Sequence, residues 1–176
     1  MWFMEAFDSK PDTSLFFEML AQFRALSLFY QEIHWANQGE LFYQDHRLAE
    51  RLYNEVFDVL DSIAEKGIGV TNDRSFVMTI PHLARVTEIL KQYPHEGDTA
   101  SLFAGALSFE STLGDLLDGW FQVIKPAGIN DFLGQLADEG LQRVYLLRGR
   151  LSAVPGGVQA ATEMALRRAA GFRNKA

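Results

Sequence analysis

Two histidines and three spaced carboxylates crowd one stretch of this chain, from His34 to Gly67. His34 comes first, then His46 with Glu50, then Asp61 with Glu65. Each of the last two pairs is four residues apart, so on a helix its members project from one face and can share a ligand. Imidazole with carboxylate is ligand chemistry for iron, manganese or zinc. Any one such pair is more often a solvated helix face; the shared geometry of the set carries the inference.

If residues 43 to 66 form one helix, His46, Glu50, Asp61 and Glu65 fall within roughly 100° of one another, on one side. Glu50 and Asp61, however, lie about 16 Å apart along the axis at 1.5 Å per residue. One chain cannot bring both pairs to the same ion. Two copies of the helix, antiparallel across a two-fold near Glu55 and Val56, bring the His46/Glu50 pair of one opposite the Asp61/Glu65 pair of the other. Tyr53, Phe57 and Leu60 lie between the pairs and would supply that interface with apolar area. Leu48, Leu52, Val56, Val59 and Ile63 form an opposing stripe suited to the chain's own core.

With these residues in view, the run HW-x-N-x-x-G followed by Phe42, His46, Asp61 and Glu65 resembles the signature of the Dps-type mini-ferritins. His34, Trp35, Gly39, Phe42, His46, Glu50, Asp61 and Glu65 occupy the signature positions. The match is dense over residues 26 to 67 and architectural elsewhere. Glu50 stands where aspartate is usual, and Asn37 sits one residue later than the family's asparagine. The resemblance implies a ferroxidase that binds Fe²⁺ through His34, His46 and Glu50 of one chain and Asp61 and Glu65 of its partner, with zinc or manganese as alternative metals. It implies peroxide or O₂ as oxidant, Trp35 close to the iron, a ferric mineral store, and a hollow shell of twelve subunits that protects against oxidative damage. The alternative is a shell of the same type that is structural, associated with DNA or a virion, and makes little use of iron. A third reading is a bundle that assembles no cage.

The elements that must position these residues read as an all-α, ferritin-like four-helix bundle. Asp12, Thr13 and Ser14 offer N-cap oxygens to a helix over Ser14–Asn37, with Phe16, Met19, Phe23, Leu26, Tyr30 and Ile33 as its stripe. Gly39 supplies a turn, and the second helix is expected to end at Gly67 and Gly69. A long crossover follows, with Pro81 opening a short helix through Tyr93. A third helix spans Asp98 to Ile124, its stripe Leu102, Ala106, Phe109, Leu113, Leu116, Trp120 and Val123. After Pro126 and Gly128 a fourth runs from about Asn130 to Leu151, with Leu133, Leu136, Val144, Leu147 and Leu151 inward.

The 176 residues suffice for one bundle domain over 1–154, with 155–176 as an extension. Hydrophobic content of 48% and five prolines suit a helical protein, and the absence of cysteine excludes disulfides, thiolate metal sites and cysteine nucleophiles. The start, MWFMEAFDSK, has no signal-peptide pattern and no apolar run approaches membrane-spanning length, so a cytoplasmic or nucleoid-associated protein is expected. The extension reads as a short amphipathic helix ending in Arg167, Arg168, Arg173 and Lys175. These four bases are candidate DNA contacts, but net charge −7 and a single lysine before the first helix favour packing on a neighbouring subunit. His82 and His95 are expected to be exposed or helix-terminal rather than ligands. Glu110, Asp115 and Asp118 are expected on a solvated face or lining a pore, because the chain has no E-x-x-H motif for an intrachain di-iron site.

Overall fold

The computed structural model describes residues 12–154 together with Gly156, Gln159 and Glu163. Among these, six α-helices follow one another: α1 (Thr13–Ala36), α2 (Phe42–Asp58), α3 (Leu60–Thr71), α4 (Thr79–Leu90), α5 (Thr99–Val123) and α6 (Ala127–Ser152). α2 and α3 together make the second long rod of the bundle, since the Ile63 amide still donates to the Val59 carbonyl at 3.0 Å across the break. α1 packs most extensively on α2, α5 on α6, and the crossover helix α4 lies against α1. No helix among the described residues is long and apolar enough to cross a membrane. The reading of the basic extension, with Arg167, Arg168, Arg173 and Lys175, falls outside the described residues.

Local chemistry sets most of the boundaries. Asp12 caps α1 by accepting from the Ser14 amide at 2.9 Å, and Asp98 caps α5 by accepting from the Ser101 amide at 2.7 Å. Pro81 sits in the first turn of α4, where its missing N–H leaves no bond unmade. α3 overruns the expected stop at Gly67 and ends instead at Asn72, which takes the left-handed conformation (φ 52°) that asparagine tolerates. Gly67 has a different task. A Cβ there would lie 2.7 Å from Phe76 Cζ and 2.9 Å from the Phe16 ring, so glycine allows both rings to seat against the helix.

All six predicted stripe residues of α1 are buried. Leu60, expected at an interface, is buried too, because it lies four residues after Val56 and three before Ile63 and so shares their inward face. On α5, Val123 is exposed at the last turn, while Leu117 and Ile124 are buried.

One expectation reverses. Glu110 is not on a solvated face but in the core, 3% exposed, where it accepts from Tyr30 Oη at 2.7 Å and from Arg143 Nε at 2.6 Å. Burial, and then the Glu110 charge beside it, push the Tyr30 hydroxyl well above its usual pKa, so it stays a neutral donor. The cluster ties α1, α5 and α6 at one level of the bundle. Asp115 and Asp118 are exposed as expected. His82 is helix-terminal, at the start of α4, but buried against Phe17.

His95 is exposed at the end of the crossover, with Nδ1 2.8 Å from Glu32 Oε2 and Nε2 2.7 Å from the Leu90 carbonyl. Both neighbours are acceptors, so both ring nitrogens must donate, which requires the imidazolium. Burial pulls its pKa down, but the bonds to Leu90 and Glu32 outweigh that and raise it above 6.5.

Replacing Arg143 with alanine strands a buried carboxylate. It should destabilise the fold by about 3–5 kcal/mol, read from urea melts, whereas the apolar pair Glu110→Leu with Arg143→Met should recover much of that loss. For His95 the stabilising contribution is fully present below pH 6.5 and is lost as pH rises through the higher folded pKa. The melting-temperature gap between wild type and His95→Gln should therefore be widest below pH 6.5 and narrow as pH rises through the folded pKa; a gap that widens with pH contradicts the pairing.

Candidate metal centre

The site grows from the turn between α1 and α2. Gly39 holds φ +99°, a conformation that would strain any side chain. Next to it Asn37 is buried and donates from Nδ2 to the Phe42 carbonyl at 3.0 Å, while its Oδ1 accepts from Thr99 Oγ1 at 3.3 Å. The turn is thus pinned to the first residue of α5. Asp45, in the first turn of α2, is 1% exposed and pairs with Arg150 of α6, Nη2 to Oδ2 at 2.7 Å. The Arg150 guanidinium also lies 5.7 Å over the Phe103 ring. This pair anchors the start of α2 to the last turn of α6, one residue before His46. Sequence reading missed it, although an aspartate in a first helical turn and an arginine in a last turn are each well placed for the helix dipole.

Within this frame His34 and His46 meet. Their rings stack with centroids 3.7 Å apart and planes 24° from parallel. His34 Nδ1 lies 3.0 Å from the His46 carbonyl, and His46 Nδ1 lies 3.1 Å from the His34 carbonyl. A carbonyl only accepts, so Nδ1 of each ring is the donor, and Nε2 of the neutral ring carries the lone pair. This is how metal-binding histidines are usually oriented, with the far nitrogen bonded to a carbonyl or carboxylate. Phe42 stacks on His46 at 5.2 Å, and Tyr53 meets His34 edge-on at 5.5 Å.

Glu50 is half-buried, one turn after His46, with its carboxylate held by Arg47. Asp61 and Glu65 are both exposed on α3, beyond the break at Val59. The structure therefore joins His34 and His46 directly, places Glu50 one turn after His46 on α2 with Arg47 as its partner, and does not bring Asp61 and Glu65 to them. Among the described residues no group of three or more histidine and carboxylate side chains lies close enough to hold one ion within a single chain. Large apolar side chains on these segments are left exposed: Trp35 is 72% exposed, Phe57 54%, and Leu28, Leu41, Phe42 and Tyr43 are also exposed. Trp120, read as core, is buried.

No family model matches the chain, and no curated protein matches it. Solved structures do. The X-ray structure of Dps from Listeria monocytogenes aligns with a TM-score of 0.67 at 18% identity, covering 82% of this chain and 96% of that one. The structure of Dps from Listeria innocua soaked with cobalt aligns with the same TM-score and identity over 85% of this chain and 97% of that one. At such identity the likeness speaks for the fold, and the fold of this chain is that of the Dps-type mini-ferritins.

Proposed function

We propose that the chain is a ferroxidase that completes its metal site only on assembly. Fe²⁺ is the substrate. His34, His46 and Glu50 bind it from one subunit, and Asp61 and Glu65 close the site from a two-fold-related partner. The observation that carries this reading is the reciprocal locking of His34 and His46, which commits both Nδ1 atoms to carbonyls and leaves both Nε2 lone pairs for a ligand. Two neutral imidazoles and one carboxylate make an incomplete donor set for a divalent cation, and the exposed acids on α3 have the missing charge.

The apolar surface supports the same arrangement. Trp35, Phe42, Tyr43 and Phe57 are large aromatic side chains left exposed on the single chain, and exposed apolar area of this kind supports a surface that another protein covers. A two-fold there shields the site from bulk water. The protein's own work is to fix ligand geometry and neutralise charge, while the electrons pass from iron to peroxide or O₂. With two Fe²⁺ giving one electron each, the O–O bond of peroxide is reduced to the level of water without a free one-electron intermediate. Trp35 borders this chemistry. The ferric product is retained as mineral inside a twelve-subunit shell whose acidic balance, net −7 per chain, attracts cations.

Two experiments test this reading. Asp61→Ala with Glu65→Ala should abolish rapid peroxide-dependent Fe²⁺ oxidation without changing the helical content, since both side chains are exposed; an unchanged rate overturns the assignment. Light scattering should give a particle about twelve times the 19.9 kDa chain, and Phe57→Asp should reduce it to smaller, still folded species. A wild-type monomer at micromolar concentration would contradict a shared site.

A further inference from the structure

Glu50 is the one charged residue of the half-site, and the structure gives its carboxylate a resident cation. Arg47 Nη1 contacts Glu50 Oε2 one turn back along α2, with side-chain exposures of 61% and 32%. The pairing is specific in the local charge pattern. Gln44 and Tyr43, three and four residues before Arg47, offer no negative charge, and the residue four after it is Arg51, which is itself bonded to Glu55 at 2.6 Å. Asp45 is already committed to Arg150. Glu50 is therefore the acid left to Arg47 within a turn of its own helix, and the glutamate side chain is long enough to reach back to it.

We propose that Arg47 is a positioning residue that holds the Glu50 carboxylate as an internal counter-ion and competes with the incoming metal for it. This rests on His34, His46 and Glu50 being metal ligands. A guanidinium has no lone pair and cannot join the coordination sphere. A cation that binds through Glu50 must exchange Arg47 off the carboxylate or share it. Until then the arginine keeps a bare carboxylate from being enclosed at an apolar interface, which would be costly. The grip is weak because both side chains reach solvent, and an exposed pair of this kind alters a binding constant by about two- to fivefold. It is a releasable latch, strong enough to order the carboxylate and weak enough to yield to a divalent ion.

A double-mutant cycle in the full-length protein tests the idea, with Co²⁺ as an air-stable probe titrated by calorimetry at low ionic strength. Arg47→Gln should tighten Co²⁺ binding about two- to fivefold, and the gain should shrink in high salt. In a Glu50→Gln background the same Arg47→Gln change should have no effect, because no carboxylate remains to contest. An equal gain in both backgrounds overturns the proposal, showing only that a positive charge nearby repels cations. Unchanged or weaker binding in Arg47→Gln overturns it as well. Absence of Co²⁺ binding in every form, wild type included, removes the ligand assignment on which the proposal stands, a failure distinct from the other two.

Discussion

A pair of reciprocal hydrogen bonds governs the arrangement at the end of α1 and the start of α2. Each histidine ring donates to the main chain of the other residue, so neither helix can slide or rotate without breaking both bonds. Imidazole and backbone carbonyl are both groups that must be satisfied where they leave water, which makes the contact mutually enforcing. Everything nearby serves this registration. Gly39 makes the reversal, Asn37 ties it to Thr99, and the Asp45–Arg150 pair holds the first turn of α2 to α6. The outcome is two imidazole rings whose orientation is fixed by the folded chain itself, with Nδ1 of each bonded to a carbonyl.

Charge is handled in three separate ways in this bundle. Glu110 is sealed in the core and answered by Arg143 and Tyr30, an arrangement that is costly to break from one side. Asp45 is buried at the surface of the bundle with a single arginine partner. Glu50, Asp61 and Glu65 are left at or near solvent, where a carboxylate remains available to a cation. The distinction separates carboxylates enclosed between helices from those on the surface of the bundle. It follows from burial, since an enclosed carboxylate bonded to a guanidinium is closed to solvent and costly to part from its partner.

The site and the bundle were legible in the chain to different degrees. The helix cap at Asp12, the turn at Gly39 and the α1 stripe follow local rules, because capping, left-handed glycine and 3.6-residue periodicity act over a few residues. The four-residue spacing of His46 with Glu50 and of Asp61 with Glu65 belongs to the same class. Gly67 could not be read locally. As a glycine near a helix end it looked like a cap, yet its role is set by Phe16 and Phe76, rings that arrive from elsewhere in the chain. Leu60 was likewise assigned to the wrong face, because its two possible faces differ by only a small rotation about the helix.

Arg143 and Glu110 show the limit most plainly. Thirty-three residues separate them, and each alone looks like a surface charge on an amphipathic helix. Only the packing of α5 against α6 turns them inward and makes them partners. The order of side chains along the chain, their spacing and the points where a helix can start or stop are properties of short range, and the amino-acid sequence carries them unaided. Which charges are enclosed, which rings press on a glycine, and which two histidines end up face to face depend on contacts between segments distant along the chain, and those exist only once the helices have packed.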